Sequence, residues 1–508
     1  MKILRKLNTM RMGTLGLFPS PPATGSPGPS PAMPTRLKGA CLGLALLASM
    51  LASPPASAQV QVAEKDGWVF TFDGRINAFA STGFGDDFPL ATVDPNGNTH
   101  SVMGGSAAPG PGSRTNVGWA SNAQSDENHK YFAVRMRSGF YSNVLGFGIS
   151  KQVSERTKLR GYVSLWASIE TIGRDKWAPI IAEAREGFLD VEGEWGTLTV
   201  GRTLGWLGRT SYDIDRSYGH GYGLGLPCTD GAGPGCGHIG TGVLFPGYSA
   251  GVAYATPKVG GFTLHLGIYD PVVYSGNTSD WSRAGMVRPE GALNFDVTAG
   301  RVRFIAGVEG AYQTLSRIQT TQTDPADPAT MTSQTLSTSI WGLSGGGRVE
   351  MGPVRLGGSY FQGRGVGIGY ALQTMTALED NPDNHPTGTM SPAPTFALRT
   401  FSGFYGQGAI VFGQLHLAAG FGRAWVDRLD ADRLNPGLSV LRYQQGISGA
   451  VYYSLVDSVV LGLDYFNYSA IWWGAPQAEM GSATLTGARL RGERQTLNFV
   501  NLGVTFRW

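Results

Sequence analysis

Apolar and polar residues alternate along most of the chain. Within residues 70–78, Phe70, Phe72 and Ile76 share one face of an extended strand, whereas Asp73 and Arg75 share the other. This period of two predicts β-strands, because successive side chains of a strand point to opposite faces. One such segment also fits a soluble sheet, so the number and spacing of the segments decide which kind of sheet forms.

About sixteen alternating segments follow one another, and proline is almost absent from them. A length of about 8–13 residues, which most of them have, matches a tilted membrane strand. The segments are 70–78, 132–141, 158–169, 186–193, 196–202, 249–256, 261–270, 291–299, 301–313, 335–350, 353–363, 395–411, 413–426, 438–454, 458–471 and 493–508.

The connections between these segments alternate in length. Every even-numbered segment is followed by a short turn such as "VSERT", "GEWG" or "FGQ". Every odd-numbered segment is followed by a long connection, namely 81–130, 171–184, 203–248, 271–290, 314–334, 364–394, 427–437 or 472–492. Sandwiches and propellers have no reason to keep this alternation, whereas transmembrane barrels have short turns at one end and long loops at the other. The sequence therefore predicts an all-β fold, a transmembrane antiparallel β-barrel of about sixteen strands.

Composition agrees with this fold. Charged residues make up 15% of the chain and the mean hydropathy is −0.09, which is too polar for a bundle of membrane helices. Beyond residue 58 no apolar run reaches the roughly 18 residues that a membrane helix needs. A membrane protein with this sequence must therefore be a closed barrel, since backbone groups in lipid require internal partners.

The first 58 residues have the features of an export signal. An apolar run at 39–52 follows Arg36 and Lys38, and "PASAQ" places Ala56 and Ala58 for cleavage. We expect residues 1–58 to be a signal peptide with an N-terminal extension and residues 59–508 to be the mature barrel. Met33 is an alternative translation start, which would leave a signal peptide of ordinary length. A membrane anchor is the alternative interpretation.

The charge of the mature chain gives no support to nucleic-acid binding. Six of the 40 basic residues and none of the 37 acidic residues precede residue 59, so 34 basic residues remain and the net charge is near −3. The apolar face of "LNFVNLGVTFRW" ends in Trp508. An aromatic residue at this position suits a last strand that closes the barrel at an interfacial aromatic girdle.

One strand and two hairpins carry a resemblance to a known family. They are "FDGRINAFA" (72–80), "EGFLDVEGEWGTLTVGR" (186–202) and "SAGVAYATPKVGGFTLHLGIYD" (249–270). With the terminal aromatic, the chain resembles the general porins of Gram-negative bacteria, although Trp508 stands where Phe is usual. The resemblance implies an outer-membrane homotrimer, recognition of the last strand by the barrel-assembly machinery, and a third loop folded into the lumen. By position this constriction loop is 203–248, with Arg209, Asp213, Asp215 and Arg216.

Basic residues occupy the polar face of the first three strands. In a barrel this face lines the lumen, because a charge on the lipid face costs roughly 2–4 kcal/mol at the bilayer midplane. We expect a basic wall opposite an acidic lip of Asp213 and Asp215, which together filter solutes by charge. Snorkelling in the headgroup region is the alternative. The wall consists of Arg75, Arg135, Arg137, Lys158 and Arg160.

Cys228 and Cys236 are the two cysteines of the predicted mature chain, and both lie in "LPCTDGAGPGCGH". Their closeness in an oxidising compartment favours a disulfide. Two free thiols, or a metal site that includes His220 and His238, remain open, but the spacing is not a zinc signature. We therefore predict no metal and no cofactor.

Three functions fit the sequence. The first is a general diffusion channel for small hydrophilic solutes and ions in the outer membrane, without enzymatic activity. The second is a channel selective for sugars or anions. The third is a barrel enzyme or adhesin, but no G-x-S-x-G or H-E-x-x-H motif occurs in the sequence.

Overall fold

The computed structural model describes residues 60–86, 92–93, 99–100, 130–167, 169, 182–215, 237–271, 274–275, 280–281, 286–322, 331–367, 398–427, 441–472 and 494–508. Most of these residues belong to one antiparallel sheet, as the period of two predicts. Among the residues so described, no helix is long and apolar enough to cross a membrane. The predicted signal peptide lies outside these ranges.

The main sheet contains sixteen barrel strands, each hydrogen-bonded to its sequence neighbours. The strands are β1 Trp68–Asp86, β2 in two halves, β2a Lys130–Arg137 and β2b Asn143–Ser154, β3 Thr157–Ala167, β4 Ala182–Gly193, β5 Gly196–Leu204, β6 Tyr248–Ala255, β7 Phe262–Tyr269, β8 Arg288–Ala299, β9 Val302–Gln322, β10 Met331–Met351, β11 Val354–Arg364, β12 Thr400–Phe412, β13 Leu415–Val426, β14 Leu441–Val456, β15 Val459–Trp472 and β16 Arg494–Arg507. A short helix, α1 (Arg209–Ile214), follows β5.

The first and last strands close the barrel. β1 pairs with β16 from Arg75 opposite Arg507 to Gly85 opposite Leu497. The backbones of Trp508 and Gly74 exchange two hydrogen bonds of 3.1 Å. The indole of Trp508 lies so close to Gly74 that a Cβ at this position would come within 2.3 Å of the ring. Glycine therefore makes room for the terminal aromatic side chain at the closing seam.

The outer face of the barrel is apolar, as the alternation predicts. On β2a the exposed side chains are Phe132, Val134 and Met136, and on β16 they are Val500, Leu502, Val504 and Phe506. The paired residues on the other face are polar or buried. An apolar belt of this kind is stable when lipid, rather than water, surrounds the barrel.

The strands differ from the sequence prediction in several places. β9 and β10 pair as far as Gln322 opposite Met331, so most of the connection predicted at 314–334 is strand. Its Thr- and Gln-rich sequence is polar on both faces, so these strand ends show no alternation of apolar and polar residues. An N-terminal strand, Val60–Lys65, also pairs with β1 beyond the end of β16.

β2 is interrupted in the middle. β1 pairs with β2a up to Phe79 opposite Arg137, and with β2b from Arg75 opposite Val144. Between these two pairings β1 contributes three residues, 76–78, whereas β2 contributes six, 138–143. To accommodate the three extra residues, the chain leaves the barrel wall at residues 138–142. The sequence prediction placed an unbroken strand over 132–141.

Candidate constriction site in the barrel lumen

The described parts of the connection between β5 and β6, residues 205–215 and 237–247, lie against the inward face of the barrel wall, where two carboxylates hold the first turn. Glu290 on β8 accepts hydrogen bonds from the backbone N–H groups of Trp206 at 2.6 Å and Leu207 at 3.3 Å. Glu309 on β9 accepts from the N–H of Gly208 at 2.9 Å and of Thr210 at 2.5 Å, and from the Thr210 hydroxyl. These hydrogen bonds satisfy backbone N–H groups that have no partner within the first helical turn, so they fix the start of α1 against the wall.

The far end of α1 is held by β10 and β12. Arg348 donates to the carbonyl oxygen of Asp213 at 2.6 Å. The Asp215 carboxylate accepts from the Tyr405 hydroxyl at 3.0 Å and from Gln407 Nε2 at 2.8 Å. Its second oxygen lies 2.7 Å from His238 Nδ1, on the returning limb of the same loop. This buried network therefore ties both limbs of the loop to the barrel wall.

One face of α1 points into the lumen. Arg209 and Asp213, one helical turn apart, are partly or fully exposed, whereas Thr210, Ser211 and Ile214 are buried. The Arg209 guanidinium lies 4.4 Å from the Trp206 ring centroid. Enclosure by the barrel raises the pKa of the Asp213 carboxyl above its ordinary value, although Arg209 and Arg348 act in the opposite direction. Asp213 thus presents an acidic group to lumen water.

Arginines and aromatic rings share the wall of β1, β3 and β4. The Arg75 guanidinium lies 4.8 Å from the Tyr141 ring centroid and 5.8 Å from that of Trp166. Arg160 lies 5.3 Å from the Phe188 ring, and its Nε is 3.5 Å from Asp190. The Arg75 guanidinium also donates to the Ser142 carbonyl oxygen, from Nε at 3.4 Å and from Nη2 at 3.3 Å. Ring stacking and these polar contacts together hold the two guanidinium groups in place on the wall.

Aromatic side chains pack closely along another part of the lumen. Inward residues of β1, β12 and β14–β16 are almost completely buried, and they include Phe79, Phe401, Tyr405, Tyr452, Phe466, Tyr468 and Phe499. On the wall that carries the arginines, Ser164 and Trp166 of β3 and Asp190 of β4 are buried as well, whereas Arg160, Arg185 and Glu186 stay partly exposed. Charged side chains therefore remain accessible to solvent on β3 and β4.

A family model described as Gram-negative porin matches residues 43–470, which is most of the chain. The chain belongs to this family. It is an outer-membrane channel for the passive diffusion of small solutes. The closed barrel of sixteen strands agrees, because barrels of this size leave an aqueous lumen.

Solved structures of other porins are similar to this one in fold. The outer-membrane channel DcaP of Acinetobacter baumannii matches with a TM-score of 0.54 and 13% identity over 88% of this chain and 100% of that chain. The anion-selective porin from Comamonas acidovorans matches with a TM-score of 0.49 and 10% identity over 87% and 100%. OmpF of Salmonella typhi, solved with daunomycin, matches with a TM-score of 0.48 and 12% identity over 88% and 100%. No curated protein sequence matches the chain.

The structure separates the residues of the predicted basic wall. Arg75 on β1 and Arg160 on β3 lie on the lumen face, and both side chains are partly exposed. Lys158 lies near the short turn of β3, where it faces Glu192, and Arg135 lies on the inward face of β2a. Arg137 is only 2% exposed, so it does not line open water.

The two residues of the predicted acidic lip lie in different surroundings. Asp213 faces the lumen, but Asp215 is buried in the network of Tyr405, Gln407 and His238. Arg216, His220, Cys228 and Cys236 lie outside the described residues of the porin. Among the residues that are described, no three His, Cys, Asp or Glu side chains cluster as metal ligands.

Several residues of the site were absent from the sequence prediction. The Arg185 guanidinium lies 4.7 Å from the Trp166 ring. The sequence did not predict this position because a bulge in β4 breaks the alternation before Glu186. Glu290 and Glu309 resemble any carboxylates on a lumen face. The sequence "SGFYS" at 138–142 gave the one available signal, since two bulky rings flanked by small residues sit where the alternation pauses.

Proposed function

We propose that this porin is a general diffusion channel whose filter lies between loop 203–248 and the basic wall of β1 and β3. The observation that carries the proposal is Asp213, an exposed carboxylate on a loop anchored inside the lumen. The helix that carries Asp213 also carries Tyr212, whose ring lies 5.6 Å from the Tyr141 ring, and the Tyr141 ring lies 4.8 Å from the Arg75 guanidinium. Opposite charges therefore flank one narrow region, and their transverse field sorts solutes by charge and dipole.

The Asp213→Asn variant tests this filter. Removing one negative charge beside Arg75 and Arg209 shifts selectivity toward anions, which appears as a change in reversal potential in a salt gradient across a planar bilayer. Asp457→Asn, in the exposed turn before β15, is the matched control and leaves the reversal potential at the wild-type value. The assignment is wrong if Asp213→Asn and wild type give the same reversal potential.

A channel selective for sugars or anions is the second candidate. The observation in its favour is the aromatic lining of the path, where Tyr141, Trp206 and Tyr248 are partly exposed. Rings of this kind stack on sugars and on planar anions. Saturable block of the current by one solute supports this candidate over general diffusion.

The remaining features of the proposal concern assembly and chemistry. We infer a homotrimer in outer-membrane lipid, with the strand that ends in Trp508 recognised by the barrel-assembly machinery after the signal peptide is cleaved near Ala58. A Cys228–Cys236 disulfide would staple the constriction loop, and transport proceeds without a cofactor or a covalent step. These inferences rest on the family, the terminal aromatic residue and the composition of the loop.

A further inference from the structure

The interruption of β2 is built around a single side chain. Asn77 on β1 is almost completely buried and lies opposite the three extra residues. Its amide nitrogen donates to the Tyr141 carbonyl at 2.6 Å, and its amide oxygen accepts from the Gly139 N–H at 2.7 Å. Its backbone N–H donates to Asn143 Oδ1 at 2.6 Å. Asn77 thus replaces the missing ladder hydrogen bonds and holds residues 138–142 in their inward fold.

The inward fold brings two rings to the constriction loop. Phe140 lies 6.0 Å from Tyr212 of α1 and 5.7 Å from Phe245 of the returning limb, measured between ring centroids. Tyr141 lies 5.6 Å from Tyr212 at an interplanar angle of 88°. Phe140, Tyr212 and Ile239 form one buried cluster. Edge-to-face ring pairs are favourable beyond the burial of their surface, so this contact is a stable one.

The loop is therefore attached on two sides of the lumen. Glu290, Glu309 and Asp215 connect it to β8, β9 and β12, while the ring cluster connects it to β2. A loop fixed at one wall can swing away from that wall, whereas a loop fixed at both forms a bridge. The bridge separates the side of the lumen with the buried aromatic residues of β12 and β14–β16 from the side with the Arg75 guanidinium.

We propose that the inward fold of β2 is a second constriction element and that Tyr141 is the residue that sets the width of the solute path. This inference rests on the proposed constriction by loop 203–248. Phe140 is buried in the cluster and positions the loop. Tyr141 is only partly buried and lies between Trp166, at 6.1 Å, and the Arg75 guanidinium, so its ring forms the edge that solutes pass.

A size series at residue 141 tests the proposal in the full mature porin. Tyr141→Ala raises the single-channel conductance by roughly 1.5-fold and admits larger neutral polymers, because the narrowest section dominates the resistance of a pore. Tyr141→Trp lowers the conductance below that of wild type. The matched control is Tyr443→Ala, which removes an equal side chain from β14 beside Arg423 and leaves the conductance unchanged.

A second variant separates positioning from width. Phe140→Ala keeps Tyr141 but loosens the loop, so it increases current noise and voltage-induced closure with little change in the open conductance. Heat-modifiable mobility confirms that each variant folds. If wild type conducts and the Ala, Tyr and Trp proteins have equal conductance, or if Tyr443→Ala has the same effect as Tyr141→Ala, the second constriction element does not exist. If wild type itself does not conduct, the proposed diffusion channel is wrong instead.

Discussion

Two aspartates in the sequence Asp213-Ile-Asp215 have different surroundings. The sequence prediction gave both the same role, as an acidic lip. In the structure they end a helical turn, where side chains two residues apart point in nearly opposite directions. Asp213 therefore faces water and Asp215 faces the wall. An unexpected helix inside a predicted loop is what separated them.

The raised pKa of Asp213 predicts a pH-dependent selectivity. A carboxyl with a raised pKa loses its negative charge at a higher pH than a free aspartate, whose pKa is about 3.9. As the pH falls through the raised value, selectivity shifts toward anions, and Asp213→Asn shows no such shift over the same interval. Reversal potentials measured between neutral pH and about pH 4 check this. A titration identical in both proteins would assign the effect to another group.

Arg137 shows how a residue on the predicted face can still be excluded from the pore. It shares the inward face of β2a with Arg135, as the alternation requires. The chain folds inward directly after it, so Arg137 lies under this cover and is buried. Alternation gives the direction of a side chain, but the elements that later cover that side chain are set by tertiary contacts.

At the scale of elements, the strands were predictable and the loop contacts were not. Strand number, face and closure follow from local patterns in β1 to β16. The anchoring of α1 by Glu290 and Glu309 pairs residues about 80–100 positions apart in sequence. The same holds for the inward fold of β2, whose partner Asn77 precedes it by more than 60 residues.

The anchor at Glu309 predicts how firmly the loop is held. Glu309→Ala leaves the buried N–H groups of Gly208 and Thr210 without their acceptor, at a cost of about 1–3 kcal/mol for each unsatisfied group. We expect channels that close at lower applied voltage and show noisier open currents in planar bilayers. Glu194→Ala, in the exposed turn between β4 and β5, is the control and behaves as wild type. Equal closure voltages in all three proteins would contradict the anchoring role.

At the scale of the whole molecule, the lumen is divided unequally. The aromatic side chains that face the lumen on β12 and β14–β16 are almost completely buried, whereas Arg75, Arg160 and Arg185 stay partly exposed. Sixteen strands alone predict a wide aqueous lumen. Close packing of the aromatic side chains reduces its open width, so the partly exposed arginines have more influence on transport than their share of the circumference.

The single-channel conductance of refolded residues 59–508, the proposed mature chain, in a planar bilayer tests the central claim most directly. A porin with one open path per barrel gives stepwise openings whose current rises linearly with voltage, grouped in threes for a trimer. A protein that is folded by circular dichroism and heat-modifiable mobility yet carries no current would contradict the account, because its lumen would then be plugged.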